Sequence, residues 1–345
     1  MPDHPRLLPE WHRQIAILLS WPHVHSDWAA QLAQTEAVYL SLVQAITHFQ
    51  KVVIICYDAK HQTDVRQRLC ASTAIMDRIL FVQAASNDTW VRDYGPLTVG
   101  NSLLDFRFNG WGGKYPHDRD DRISQSLRHA GVFGDAPFRR LEYVLEGGAI
   151  ETDGAGTLLT TSRCLLSPTR NPGIDRNAMA QLLGETLGAE RILWLEHGAL
   201  EGDDTDGHVD MLARFADENT IVYTACDEPG YASHDSLLRM AAELREFRTK
   251  TGRPYRLVAL PWPGPKFDDQ GARLPASYAN FLIINGAVLA PVYDDPADHE
   301  ALRILQICFP RREIIGIPCL PLIRQYGSLH CATLQIPDTI PVKLT

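Results

Sequence analysis

Four short segments carry side chains able to do chemistry. Cys331 lies in Gly327-Ser328-Leu329-His330-Cys331-Ala332-Thr333-Leu334, near the C-terminal end. Earlier come Trp90-Val91-Arg92-Asp93, Leu145-Glu146-Gly147-Gly148 and Gly207-His208-Val209-Asp210. A cysteine titrates near pKa 8.5 and is already nucleophilic, more so when a cation holds the thiolate. A histidine among carboxylates is held protonated and can act as a general acid. A carboxylate beside an indole suits a flat, delocalised cation, with hydrogen bonds in its plane and the ring on its face. Thiol, histidine and three acidic groups together could attack a cationic carbon.

Each residue also has a plainer reading. Cys331 could be a small buried hydrophobe, as Cys56, Cys164, Cys226 and Cys308 are expected to be within their apolar runs. His208 and Asp210 alternate, so a strand would point both to one face. They follow the acidic run Gly202 to Gly207 and could instead form a solvated hairpin edge. A metal held by His208, Asp210 and a distant third ligand has little spacing support. Asp88 could cap a turn with Arg92 as its ion-pair partner. Glu146 precedes two glycines at a strand end, where backbone can approach a site. His4, His12, His23 and His25 read as surface or edge residues.

The elements that must position these residues recur. Ala16–Ser20 reads as a strand. Ser26 or Asp27 can cap a helix reaching about Phe49, with Trp28, Leu32, Val38, Leu42 and Ile46 on one face. Lys51–Tyr57 and Leu80–Gln83 are further strands. Hairpins turn at Gly100-Asn101, Asp153-Gly154 and Asn285-Gly286, and another pairs residues 208–215 with 220–224. Helices over about 174–188, 232–251 and 297–308 each lead to a strand, at 191–195, 255–260 and 313–317. The final strand, 329–336, carries Cys331. The unit is strand, turn, strand, helix, strand, with a period of about 60 residues. Three copies are clear, one around residues 90–145 is blurred, and one is split between the termini. Repetition of this kind predicts radial stacking, with residues 93, 146, 208 and 331 converging at the inner ends. The loop over Pro261–Pro275 is long enough to be functional.

Composition bounds the partners. The 345 residues carry a net charge of -9 and are 45% hydrophobic, which disfavours nucleic acid and predicts a sizeable core. No apolar run approaches the roughly 20 residues of a membrane span. No secretory signal is legible at the start, and the seven cysteines lack a CxxC pair, so a reducing cytoplasm is expected.

NDTWVRDYGP, FNGWGGKY (108–115), LEGGAIETDGAGTLLTTSRCLL (145–166), GHVD, SYANFLIINGAVLAPVYDDP (277–296) and GSLHCATLQIP together resemble the agmatine deiminase and bacterial-type peptidylarginine deiminase family. The resemblance spans residues 20–337. It implies one α/β domain over 1–345, a five-bladed pseudo-symmetric propeller (the pentein fold) of repeated ββαβ units around a central site. It implies Cys331 as nucleophile, His208 as general acid and base, and Glu146 as the carboxylate that orients and charges His208. Asp93 and Asp210 would bind the guanidinium, Trp90 would pack near the substrate, and Asn280 would shape the pocket. No metal or organic cofactor is required.

The implied substrate is a small guanidinium cation. Secreted peptidylarginine deiminases of this family place arginines for a carboxylate just after the position of Asn109. Here Gly110-Trp111-Gly112-Gly113-Lys114 follows, which favours agmatine over arginine or a peptide, although Lys114 could substitute. The family's Gly-Gly-Asn-Ile-His-Cys is replaced by Tyr326-Gly327-Ser328-Leu329-His330-Cys331, which implies a shifted or broader substrate range. An amidinotransferase would use the same covalent intermediate. A homodimer is compatible with the sequence, which does not set oligomeric state.

Overall fold

Strand β1 (Gln14–Ser20) leads through a 3-10 turn (Asp27–Gln31) into a helix, Leu32–Thr47, and then to β2 (Lys51–Cys56), which lies parallel to β1. A computed structural model describes residues 5–343, so His4 of the N-terminal histidines lies outside the described residues. Val52 to Ile55 of β2 are buried without interruption, as expected for a strand covered on both faces. A polar helix, Ala59–Cys70, follows, capped by the Asp58 carboxylate accepting from the His61 backbone N–H. Sequence reasoning missed it, because only Val65 and Leu69 turn inward. Strand β3 (Ile79–Gln83) then adds beside β2.

The next three units follow one plan. An antiparallel hairpin is followed by a helix, and the chain returns as a strand parallel to the hairpin's second strand. They are β4 (Leu97–Val99), β5 (Ser102–Arg107) and β6 (Phe138–Val144); β7 (Ile150–Thr152), β8 (Thr157–Thr161) and β9 (Arg191–Leu195); and β10 (Ala213–Asp217), β11 (Thr220–Thr224) and β12 (Arg256–Leu260). Between the third and fourth units a small hairpin, β13 (Lys266–Phe267) and β14 (Arg273–Leu274), occupies the 261–275 loop. The fourth unit is β15 (Leu282–Ile284), β16 (Ala287–Val292) and β17 (Glu313–Pro318). The last strand, β18 (Thr333–Pro337), pairs antiparallel with β1, so the fifth unit joins the two termini as expected. Among the described residues, no helix is long and apolar enough to cross a membrane.

The blurred copy over 90–145 resolves into β4, β5, a helix (Ile123–His129) and β6. Its last strand was hard to read because β6 is mostly half-buried or exposed. Apolar side chains from every unit pack inside, Trp21, Trp28, Phe215 and Phe281 among the most deeply buried. Each such side chain contributes about 1.5–3 kcal/mol through burial.

The centre itself is charged. Arg214 of β10 is fully buried, ion-paired with Glu151 of β7 and with Glu10, and it donates to the Phe281 carbonyl at 2.7 Å. A buried charge is tolerable only when paired and hydrogen-bonded in this way. Three stretches of chain far apart in sequence are thereby held at one point.

Candidate active site

Each chemistry-bearing segment lies just ahead of the first strand of a unit. Asp93 sits on the helical turn Val91–Tyr94 before β4. Glu146 caps the 3-10 turn Gly147–Ala149 before β7. His208 and Asp210 flank Val209 before β10, Asn280 precedes β15, and Cys331 precedes β18. Equivalent positions in repeated units point inward, which is why residues spread over most of the chain converge.

Two local expectations are corrected. His208 and Asp210 are not on a strand: Val209–Met211 is a 3-10 turn and β10 starts at Ala213. Cys331 likewise lies in the turn before β18 rather than in the strand. Turns suit these residues better, because a strand would commit their backbone to ladder bonds and its side chains to two fixed faces.

Cys331 and Asp93 line a cleft together with Trp90, Trp111 and Tyr326. The Cys331 thiol is 5% exposed; its Sγ lies 3.6 Å from Asp210 Oδ2 and 3.3 Å from Asn280 Nδ2. Asn280 also accepts the His330 backbone N–H on Oδ1 at 2.8 Å, which ties it to the loop carrying the thiol. Burial pushes the Cys331 thiol well above its ordinary range, and the Asp210 and Asp93 carboxylates push it further. Both effects favour the neutral thiol over the thiolate.

Asp93 is held from both sides. Its Oδ1 accepts the Gly148 N–H at 2.9 Å and its Oδ2 accepts the Trp111 indole N–H at 3.0 Å. Trp111 reaches it from a left-handed backbone conformation (φ 55), a strained choice for so large a residue. Gly148 has no room for a side chain: a Cβ there would lie 2.7 Å from His208 Nδ1 and 2.8 Å from Asp93 Oδ1. At Gly327 a Cβ would meet the Trp90 ring at 2.5 Å, so this glycine lets the Cys331 loop close over the indole.

His208 is fully buried, with Nδ1 3.6 Å from Asp93 and Nε2 3.8 Å from Glu146. Burial alone would lower its pKa, but Asp93, Cys164 and Glu146 outweigh that and hold it well above 6.5. Both Glu146 oxygens accept the Arg170 Nε–H, at 2.9 and 2.8 Å. Burial works against ionisation of Glu146, yet His208 and Arg170 together bring its carboxyl below the usual range.

The ion-pair partner of Arg92 is Glu10, at 3.5 Å, rather than the anticipated Asp88. Asp88 accepts from the Trp28 indole at 2.9 Å and the Thr89 backbone at 2.7 Å. Lys114 is spoken for: it donates to the Asp204 carbonyl at 2.6 Å and to Asp206 at 3.0 Å. No residue of the 261–275 loop lines the cleft.

Donor atoms of Glu146, Cys164 and His208 all lie within 4.8 Å of one another, the grouping best able to hold a metal among the described residues. It is not the set weighed from the sequence, which paired His208 with Asp210. The Arg170 guanidinium already neutralises Glu146, so a divalent ion would have to displace it. Sequence reasoning missed Arg170, Trp111, Cys164 and His330 as neighbours of the site. Arg170 lies beside the Asn171-Pro172 pair and Trp111 within the FNGWGGKY segment, but nothing in either segment names its partner.

Several buried atoms have no hydrogen-bond partner: both His208 ring nitrogens and Asp210 Oδ1. An orphaned buried group costs about 1–3 kcal/mol, so a fold tolerates a cluster of them where a ligand will complete them.

Residues 6–337 match the family described as Porphyromonas-type peptidyl-arginine deiminase. The agmatine deiminase of Stutzerimonas stutzeri (strain A1501) is 34% identical over 95% of this chain and 94% of its own. A crystal structure of the putative arginine deiminase from Porphyromonas gingivalis is 45% identical, covers 98% of this chain and 99% of its own, and superposes with a TM-score of 0.91. A cysteine-to-serine variant of the C. jejuni agmatine deiminase, with substrate bound, is 34% identical, covers 97% of both chains, and superposes with a TM-score of 0.89. The chain belongs to the Porphyromonas-type peptidyl-arginine deiminase family.

Proposed function

We propose that this protein is an agmatine deiminase, a hydrolase of linear amidines that converts agmatine to N-carbamoylputrescine and ammonia. The observation that carries the reading is the pairing of an anchored Asp93 and a half-free Asp210 around the Cys331 thiol. Two carboxylates can hold a guanidinium in plane and balance its charge, leaving the central carbon open to sulfur from one face.

The arriving cation offsets the two carboxylates that suppress ionisation of Cys331, and the thiol releases its proton to solvent. The thiolate attacks the guanidinium carbon. His208 protonates the departing nitrogen, which leaves as ammonia, and an S-alkylthiouronium remains. The neutral His208 then takes a proton from water, the hydroxide adds to the same carbon, and the thiolate is expelled as the ureido product forms. Glu146 keeps His208 charged for the first half of this cycle. Trp90 lies against the cleft and Asn280 holds the thiol loop.

The far end of the cleft favours an amine over a carboxylate. Asp27, Asp88 and Asp204 line it, and among the described lining residues there is no lysine or arginine. Lys114, the candidate substitute, is engaged elsewhere. Arginine or a C-terminal arginyl peptide would bring a carboxylate towards these acids, at a cost of several-fold to several hundred-fold in affinity. The curated relatives named agmatine deiminase agree with this. The family description and the P. gingivalis neighbour keep peptidyl-arginine or arginine as the second reading. An amidinotransferase is the third, and addition of an amine acceptor would expose it.

The five repeated sheets support a five-bladed pentein propeller forming one domain, with the site on its axis. Ammonia release measured as kcat/KM for agmatine, arginine and a C-terminal arginyl peptide tests the substrate. A preference for either carboxylate-ended compound would overturn the agmatine assignment.

A further inference from the structure

The chain ahead of β1 forms a strap across the back of the site. The Leu7 N–H donates to the Leu187 carbonyl at 2.8 Å, and the Leu8 N–H to the Thr98 carbonyl at 3.2 Å. Gln14 donates both to the Glu10 carbonyl at 2.6 Å and to the Ile283 carbonyl at 2.9 Å. The strap therefore touches three units and places one carboxylate, Glu10, in the interior at 7% exposure.

Glu10 is fully engaged. Its Oε1 accepts the Ile283 N–H at 2.6 Å, and its Oε2 lies 2.7 Å from His330 Nε2 and 3.0 Å from Arg214 Nη2. The other nitrogen of His330, Nδ1, lies 2.8 Å from Asp210 Oδ2. The buried imidazole is thus held between two carboxylates, one at each ring nitrogen. Asp210 is left with one oxygen held and the other, Oδ1, without a partner. Glu10, Glu151 and Asp210 face Arg92, Arg214 and His330 in this network.

We propose that His330 is a positioning residue for Asp210, and that Glu10 of the N-terminal strap anchors His330 from behind. The relay Glu10–His330–Asp210 fixes Oδ2 and so aims Oδ1 at the guanidinium beside Cys331. The residue next to the nucleophile thus serves the substrate's charge rather than the thiol. The proposal rests on the deiminase reading for what Asp210 binds, and it adds the strap to the working parts of the enzyme. A carboxylate with a free torsion would spend much of its time off the guanidinium plane, and a misplacement of 1 Å can cost about 100-fold in rate.

The test uses the full-length protein with His330→Gln and the milder Glu10→Asp, each checked for folding by thermal unfolding. Two alkylating agents read Cys331 separately: chloroacetamidine, a planar cation that needs the carboxylates, and iodoacetamide, which is neutral. In His330→Gln, kcat/KM for agmatine and the chloroacetamidine rate should both fall about 100-fold. The iodoacetamide rate should stay within about threefold of wild type, since it does not draw on carboxylate alignment. Glu10→Asp should show the same change in ratio at about a tenth of the size. Adding His330→Gln to Asp210→Asn should cost no more than about twofold beyond Asp210→Asn alone, because the relay then has nothing to aim. Parallel loss with both alkylating agents, or losses that multiply in the double variant, would overturn the proposal. If His330→Gln does not fold, the alkylation ratio in Glu10→Asp decides: an unchanged ratio counts against the relay. A wild-type enzyme that releases no ammonia from agmatine would sink the substrate assignment and leave this alkylation test standing.

Discussion

The cleft side and the rear side of the site use the same residue types to opposite ends. At the rear, Glu10, Glu151, Arg214 and His330 pair with one another. At the cleft, the two nitrogens of His208 and Oδ1 of Asp210 are buried without partners. The rear is charge-paired and holds position, its two remaining open atoms, Arg92 Nη2 and Arg214 Nη2, both facing Glu10. The front is unsaturated and awaits a ligand. Asp210 belongs to both sides: Oδ2 meets His330 and lies 3.6 Å from the thiol, and Oδ1 is open. The difference is one of valence: a buried charge stabilises a fold only when its bonds are complete, and binds a substrate only when they are not.

The largest effect should come from removing the front's thiol. Cys331→Ala is expected to lower ammonia release from agmatine by about 10⁴-fold or more, with little loss of thermal stability, because no network depends on the thiol. Retained turnover would break the division at its centre. Next comes the cation clamp. Asp93→Asn keeps the shape but removes the charge, and kcat/KM for agmatine should fall about 10²–10³-fold. Gly148→Ala should match it, since the added carbon lands on both His208 and Asp93. A Gly148→Ala enzyme with ordinary kinetics would mean that the tight spacing is not needed.

The third effect is a shift in pH rather than a loss. His208 is held charged well above 6.5, against its burial, by Asp93, Cys164 and Glu146. The alkaline limb of kcat/KM should therefore lie well above that of a free histidine. Glu146→Gln should move it to lower pH. The linkage has the same sign: the folded-state value is raised, so this histidine's contribution to stability is complete below 6.5 and disappears as pH rises through the folded value. An alkaline limb that ignores Glu146→Gln would assign that limb to another group.

The smallest effect should be at the mouth. Burial raises the Asp88 carboxyl to about 6, so its charge is lost on mild acidification. KM for agmatine should rise as pH falls through that value, and Asp88→Asn should show a raised KM, by about three- to tenfold, that no longer varies there. A KM for agmatine independent of Asp88 would move amine recognition to Asp27 or Asp204.

Much of this was legible before any coordinates. The repeated unit was visible in its hairpin turns and β-branched runs, and the pairing of β18 with β1 followed from the copy split between the termini. Asp93, Glu146, His208, Asp210 and Cys331 were each marked by a glycine or turn beside a reactive type, and Asn280 came only from the family resemblance. Legibility failed where local pattern and tertiary need diverged. His-Val-Asp looks like a strand by alternation, yet it folds as a 3-10 turn. The helix Ala59–Cys70 was invisible because its face towards the core is only two residues wide. Trp111 looked like the loss of a carboxylate site, whereas its indole N–H fixes Asp93.

By itself, then, the amino-acid sequence determined the inventory and its order: one inward-facing turn per unit, and which reactive residue each turn carries. Local propensity and turn chemistry suffice for that, since both act over a few neighbouring residues. Only the tertiary structure decided which atoms are free. Glu10 lies 320 residues from His330, and no local rule joins them. The protonation of His208, the neutrality of Cys331 and the single open oxygen of Asp210 all come from burial and from charges brought within a few ångströms by folding.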